Sequence, residues 1–164
     1  MARSPIRFPQ PTVHTVVALA LLASALPSTV AQAASDGSTD GPLPRAATVE
    51  VETYRVEMIT DGGYKPHAAG SVKIKLTAKA GYHINEQFPY RFKASAPSDG
   101  VSYPKPVLER ADGQFEEKTA IFTLPFVADH AGKFVVGGVL NLSVCSPANC
   151  IVKKTPLDVT VTVQ

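Results

Sequence analysis

Apolar and polar residues alternate along much of this chain with a period of two. Val72, Ile74, Leu76 and Ala78 alternate with Lys73, Lys75, Thr77 and Lys79, and Leu157, Val159, Val161 and Val163 alternate with Asp158, Thr160, Thr162 and Gln164. A two-residue period puts one set on a buried face and the other in water, which predicts two half-buried strands. Thr48 to Ile59 is long and β-rich, with an apolar phase that slips between Val51 and Tyr54 and so predicts a bulge. Lys118 to Leu124 and Lys133 to Val144 predict two more strands. Gly137-Gly138 inside the second marks a bulge or a close backbone approach.

Turn chemistry separates these runs: Asp61-Gly62-Gly63, Ala80-Gly81, Ser98-Asp99-Gly100, Asp112-Gly113 and Ala131-Gly132. No stretch beyond the N-terminal region sustains a 3.6-residue period. Short strands punctuated by turns predict an all-β, immunoglobulin-like β-sandwich over residues 46–164. Its expected core is Val72/Ile74/Leu76, Phe122/Leu124, Phe134/Val136/Leu140/Leu142 and Val159/Val161/Val163. The disulfide that joins distant strands of antibody domains is not available, because the two cysteines lie too close in sequence.

The first residues change the picture of the compartment. Arg3 and Arg7, the apolar run Val16 to Leu26, and Ala31-Gln32-Ala33 form the three parts of a secretory signal peptide, predicted over residues 1–33. The run is short for a membrane span, which needs roughly 20 residues. An uncleaved anchor is the alternative. The resulting location is periplasmic or secreted. Residues 34–45 are Gly, Ser, Asp and Pro with little apolar content and read as a flexible leader. Removing the signal takes Arg3 and Arg7 from the 16 Lys+Arg, leaving 14 against 14 Asp+Glu, so the exported chain has no formal net charge. Lys73, Lys75 and Lys79 cluster only as the wet face of a strand. Nucleic-acid binding, which needs a dense basic surface, is not expected.

The chemistry rests on Cys145 and Cys150, separated by Ser146-Pro147-Ala148-Asn149. These four residues suit a hairpin loop, with Pro147 presetting the first turn residue and Asn149 tolerating a left-handed conformation. Cysteines facing each other there can reach disulfide distance. One reading is a structural clip in an oxidising compartment. Closing so short a loop is worth only about 2 kcal/mol, against about 4.7 for a 100-residue loop. The other reading is a redox-active dithiol, since a hairpin tip is accessible to exchange. Metal binding is a third, with His67, His83 and His130 available, but none stands at ligand spacing from another or from the cysteines, so no metal or cofactor is implied. Each of these histidines reads as a turn or surface residue. Glu116-Glu117 reads as a solvated turn edge, and neither a Gly-Xaa-Ser-Xaa-Gly elbow nor a phosphate-binding loop occurs.

Several features occur together in order: Gly81-Tyr82-His83-Ile84-Asn85, a proline-rich middle, the Asp112-Gly113 turn, the strand from Ala120 to Leu124-Pro125, the long strand into Cys145, and a closing strand after Cys150. In this order the chain resembles the N-terminal periplasmic domains of the thiol:disulfide interchange protein DsbD, over roughly residues 46–164. The resemblance implies an immunoglobulin-like sandwich with a reversible dithiol, in which Cys150 forms the mixed disulfide and Cys145 resolves it. It implies a cap over the pair, matched by Asp112 to Phe115 with Phe115 as cap residue, and an aromatic neighbour matched by Tyr82. It implies periplasmic thioredoxin-like or disulfide-isomerase proteins as partners, a membrane protein as electron donor, and a monomer. The pattern departs from the family in having one residue fewer between the cysteines and Ile151-Val152-Lys153-Lys154 after them, and a family tyrosine falls at His83 or Asn85. With no further domain after Gln164, a free-standing module is expected. The alternative function is a secreted Ig-like binding or interaction module whose disulfide is purely structural.

Overall fold

The computed structural model describes residues Arg45–Gln164. The predicted signal peptide and all of the predicted leader but Arg45 lie outside the described residues. Arg45 is docked: its guanidinium donates to Ser95 Oγ at 2.5 Å and lies 3.4 Å from the Asp158 carboxylate.

Eleven strands follow in order: β1 (Thr48–Glu50), β2 (Tyr54–Thr60), β3 (Ala69–Ala78), β4 (His83–Ile84), β5 (Arg91–Ala94), β6 (Val101–Ser102), β7 (Val107–Glu109), β8 (Gly113–Phe115), β9 (Thr119–Ala128), β10 (Gly132–Cys145) and β11 (Cys150–Val163). One 3-10 turn, Arg110–Asp112, joins β7 to β8. The strands form two antiparallel sheets. The first runs β1-β2-β3-β9-β6 with β8 also on β9, and the second runs β11-β10-β5-β7 with β4 also on β10. This is the predicted all-β, immunoglobulin-like sandwich.

Both period-2 segments form strands with the expected faces. Val72, Ile74, Leu76, Phe122, Leu124, Val136, Leu140 and Leu142 have no exposed surface, Phe134, Val161 and Val163 are buried, and Val159 packs half-buried against them. Lys73 and Lys79 reach out from the opposite face or the strand end to Asp61 and Glu50. Across the core, the Tyr54 and Thr155 hydroxyls pair at 3.1 Å and tie β2 of one sheet to β11 of the other.

The phase slip between Val51 and Tyr54 is a turn, not a bulge. Val51 N–H donates to the Tyr54 carbonyl at 3.0 Å, and Thr48 to Glu50 fold back on Arg55 to Glu57 as a hairpin. A bulge and a tight turn both interrupt alternation, and pattern alone does not separate them. At Gly137-Gly138 the pairing with β11 is unbroken, so the glycines mark a close approach. A Cβ on Gly137 would strike the Leu157 carbonyl, and one on Gly138 the Lys93 carbonyl. Asp112-Gly113 closes the 3-10 turn and opens β8.

Candidate functional site

β10 and β11 pair without a break from Gly132↔Val163 to Cys145↔Cys150, so the cysteines are the last rung before the loop. The loop is held by its own side chains. Ser146 N–H donates to the Asn149 carbonyl at 2.8 Å, and Ser146 Oγ accepts from the N–H groups of Ala148 and Asn149 at 3.3 and 3.2 Å. Asn149 does not use the left-handed conformation that the sequence allowed. Among the described non-glycine residues the positive φ falls on His67. Asn149 instead holds Ser146 Oγ with its side-chain oxygen at 3.0 Å.

Cys145 and Cys150 form a disulfide, with Cα atoms 4.0 Å apart. The pairing explains the closeness. Hydrogen bonding alternates by two along an antiparallel strand. The Ser143 carbonyl accepts from Asn85 N–H on the β4 side, so the backbone groups of Cys145 also face β4. Cys145 and Cys150 are therefore a narrow, non-hydrogen-bonded pair, the arrangement that brings side chains closest. The two cysteines sit in unlike surroundings. Cys145 is 5 % exposed, whereas Cys150 is an exposed residue at the start of an edge strand. Val152, Lys153 and Lys154 follow it into solvent.

β4 supplies the other flank. His83 stands opposite Cys145 and Ile84 opposite Val144. Ile84 and Val144 are core residues, so His83 and Cys145 share the outer face. A row His83–Cys145–Cys150 thus crosses three strands. His83 shares an open depression of about 290 Å³ with Asn85, Glu86 and Glu117. Tyr82 precedes His83, is half-buried against the core, and its carbonyl accepts from Lys118 Nζ at 2.5 Å.

The strand below the disulfide is anchored by polar bonds. Ser143 has no exposed surface, its hydroxyl accepts from Asn85 Nδ2 at 3.3 Å, and its carbonyl also accepts from the Tyr90 hydroxyl. Burial pushes the Tyr90 phenol up to about 12. Phe115 lies against Tyr90 and Phe122, with ring centroids at 5.0 and 5.6 Å, and the Arg110 guanidinium sits 4.6 Å above it. Phe115 therefore reaches the cysteine strand through Tyr90 and Ser143. Asp112 holds the 3-10 turn, accepting from Lys105 Nζ at 2.5 Å and Glu109 N–H at 2.9 Å. The Lys105 bond and then the Glu109 bond hold its carboxyl below the usual range. An open groove of about 580 Å³ runs beside this turn, between Phe88, Tyr90, Arg91, Arg110 and Asn141.

The structure thus joins Cys145 to Cys150 and brings His83, the residue after Tyr82, beside the pair. It places Phe115 against Tyr90, and Asp112 in the 3-10 turn, bonded to Lys105 and Glu109. Sequence reasoning missed Tyr90 and Ser143 as parts of this region and pointed to His83 and Asn85 only through the resemblance. A two-residue strand such as β4 has no periodicity to detect, and only the Gly81 turn before it was a signal. Among the described residues no group of three His, Cys, Asp or Glu side chains could hold a metal ion, and no helix is long and apolar enough to cross a membrane.

Fold and site together define an immunoglobulin-like sandwich with a disulfide at the tip of its longest hairpin. No family model matches the chain, and no curated protein does. Several solved structures are similar at a distance, two bacterial proteins among them. One is BslA, a bacterial hydrophobin, at 8% identity and TM-score 0.33, covering 71% of this chain and 98% of that one. The other is AggA, the major subunit of aggregative adherence fimbriae type I from Escherichia coli, at 9% identity and TM-score 0.33, covering 74% and 100%.

Proposed function

We propose that this protein is an exported thiol:disulfide interchange domain, of the kind its resemblance to the DsbD N-terminal domains implies, with Cys150 as the exchanging thiol and Cys145 as the resolving one. The observation that carries the reading is the asymmetry of the pair. Exchange needs one sulfur that a partner can reach and a second held close enough to break the mixed disulfide. Cys150 is exposed on an edge strand, and Cys145 is buried directly opposite it. The clip role is weakly motivated, because 14-residue strands already define the hairpin that the bond closes. The partners are periplasmic thioredoxin-like or disulfide-isomerase proteins, with a membrane protein as electron source.

A second reading is a secreted Ig-like interaction module whose disulfide only locks the hairpin tip. The burial of Cys145 favours it, since a sulfur shut away from water suits a permanent bond. Trapping separates the two. Cys145→Ala should leave Cys150 linked to a purified periplasmic thioredoxin-like protein as a stable mixed disulfide, and Cys150→Ala should trap far less. If neither variant traps, and the wild-type bond has a reduction potential below about −300 mV, the structural reading stands. Under the interchange reading the reduced protein must stay folded, at a cost of about 2 kcal/mol. Urea unfolding with and without reductant measures that cost.

A further inference from the structure

We infer that His83 is the proton acceptor for Cys145 when the mixed disulfide is resolved. The inference rests on the interchange reading and adds a residue to it. Its basis is the register of three strands: His83 on β4, Cys145 on β10 and Cys150 on β11 form one transverse row. Side chains directly opposite each other on one face of an antiparallel pair have Cβ atoms roughly 5 Å apart. His83 and Cys145 meet that condition, because their chain neighbours Ile84 and Val144 both turn into the core.

The chemistry needs a base at this place. After Cys150 has joined a partner sulfur, Cys145 carries a proton and is not a nucleophile until it loses it. Cys145 is buried, and burial disfavours the thiolate. Water has little access to the proton, so a side-chain acceptor has the advantage. In the step, the Cys145 S–H proton passes to the His83 imidazole. The freed electron pair forms a bond to Cys150 Sγ, and the bond from Cys150 Sγ to the partner sulfur breaks. The partner leaves as a thiolate, which takes its proton from water or from His83. One dithiol has been oxidised and one partner disulfide reduced, with no other reactant. His83 is itself exposed, so it can return its proton to solvent. The other charged groups at this place are the carboxylates of Glu86 and Glu117 in the same depression and Lys118, whose ammonium is held on the Tyr82 carbonyl. Cys150 completes the set.

The reduced protein can be mixed with the aromatic disulfide 5,5′-dithiobis(2-nitrobenzoic acid) in a stopped-flow instrument. Attack by one cysteine releases a first thionitrobenzoate, and resolution by the other releases a second. In His83→Gln the ratio of second to first rate should fall by roughly 100-fold near pH 7, the scale of general-base catalysis. Added imidazole should restore the second release in His83→Ala, which a purely structural role would not allow. Circular dichroism confirms that both variants fold. A ratio within about threefold of wild type, or no rescue by imidazole, overturns the role of His83 and leaves the interchange reading in place. A wild-type protein that gives no second release overturns the interchange reading itself.

Discussion

The two faces of β10 are built on different terms. Its inner face, Phe134, Val136, Leu140, Leu142 and Val144, is apolar and between 0 and 5 % exposed along its whole length. Its outer face starts with Lys133 and Val135, both exposed, Val135 at 49 %, and ends with Ser143 and Cys145, which are 0 and 5 % exposed. Burial of the inner face needs only the opposite sheet and the hydrophobic effect. Burial at the outer end needs a cover, and a cover over backbone and hydroxyl groups must supply hydrogen bonds. β4, Asn85 and Tyr90 supply them. Side chains of the outer face are thus shut away from water at the disulfide end, by polar contacts, whereas Lys133 and Val135 at the other end stay in solvent.

The sharpest way to break the comparison is at the inner face. Leu76→Ala, in the opposing sheet, and Leu140→Ala, in β10 itself, should each cost about 2–5 kcal/mol in urea unfolding, because both side chains are fully buried. A loss below about 0.5 kcal/mol at either would mean that the apolar faces do not meet as described.

The cover is tested by Tyr90→Phe, with a smaller effect. It removes the hydroxyl bond to the Ser143 carbonyl and keeps the ring, so about 1 kcal/mol should be lost at pH 8. The effect should depend on pH with a fixed sign. Burial raises the folded-state value from 10.0 to about 12, so the folded protein holds the phenolic proton where the unfolded chain has released it. Stability from this group is fully present below about pH 10 and is lost as pH rises toward 12. By pH 11 the wild type should have lost about 1 kcal/mol that Tyr90→Phe never had to lose. The difference between the two proteins should shrink to near zero there. A difference that is constant from pH 8 to 11 would mean that the hydroxyl is solvated and the cover is open.

The inner face was legible in the sequence, and the cover was not, for one physical reason. Alternation over eight or more residues, as in β3 and β11, reports burial on one face only because the other face stays polar. The rung Cys145↔Cys150 followed from the same logic, since the Ser-Pro-Ala-Asn loop fixes which residues oppose each other. Tyr90, Phe92 and Leu108 are just as buried, yet they stand in strands of four residues or fewer or, for Tyr90, in the connection between β4 and β5, where no period can be established. His83 and Cys145 became neighbours through the pairing of β4 with β10, some sixty residues apart in sequence. Nothing local to either residue encodes that contact. The same holds for the turn at Val51 to Tyr54, where a local pattern was compatible with two backbones and the pairing of β1 with β2 decided between them.

The smallest effect belongs to the uncovered end of the outer face, and it sharpens the contrast most directly. Val135 and Val136 are adjacent, identical in chemistry and in one strand, so propensity and backbone are matched between them. Val136 has no exposed surface, and Val135 is half exposed opposite Thr160 on β11. Replacing Val136 by Thr buries a hydroxyl in an apolar layer, which should cost about 1–3 kcal/mol. Replacing Val135 by Thr keeps a β-branched residue on a wet face and places it across from another threonine, a pairing that strands accept. Its effect should stay within about 0.5 kcal/mol. Paired urea titrations of the two variants measure both at once. A large loss at Val135 would show that the outer face is covered along its whole length, and the disulfide end would then no longer stand apart from the rest of the strand.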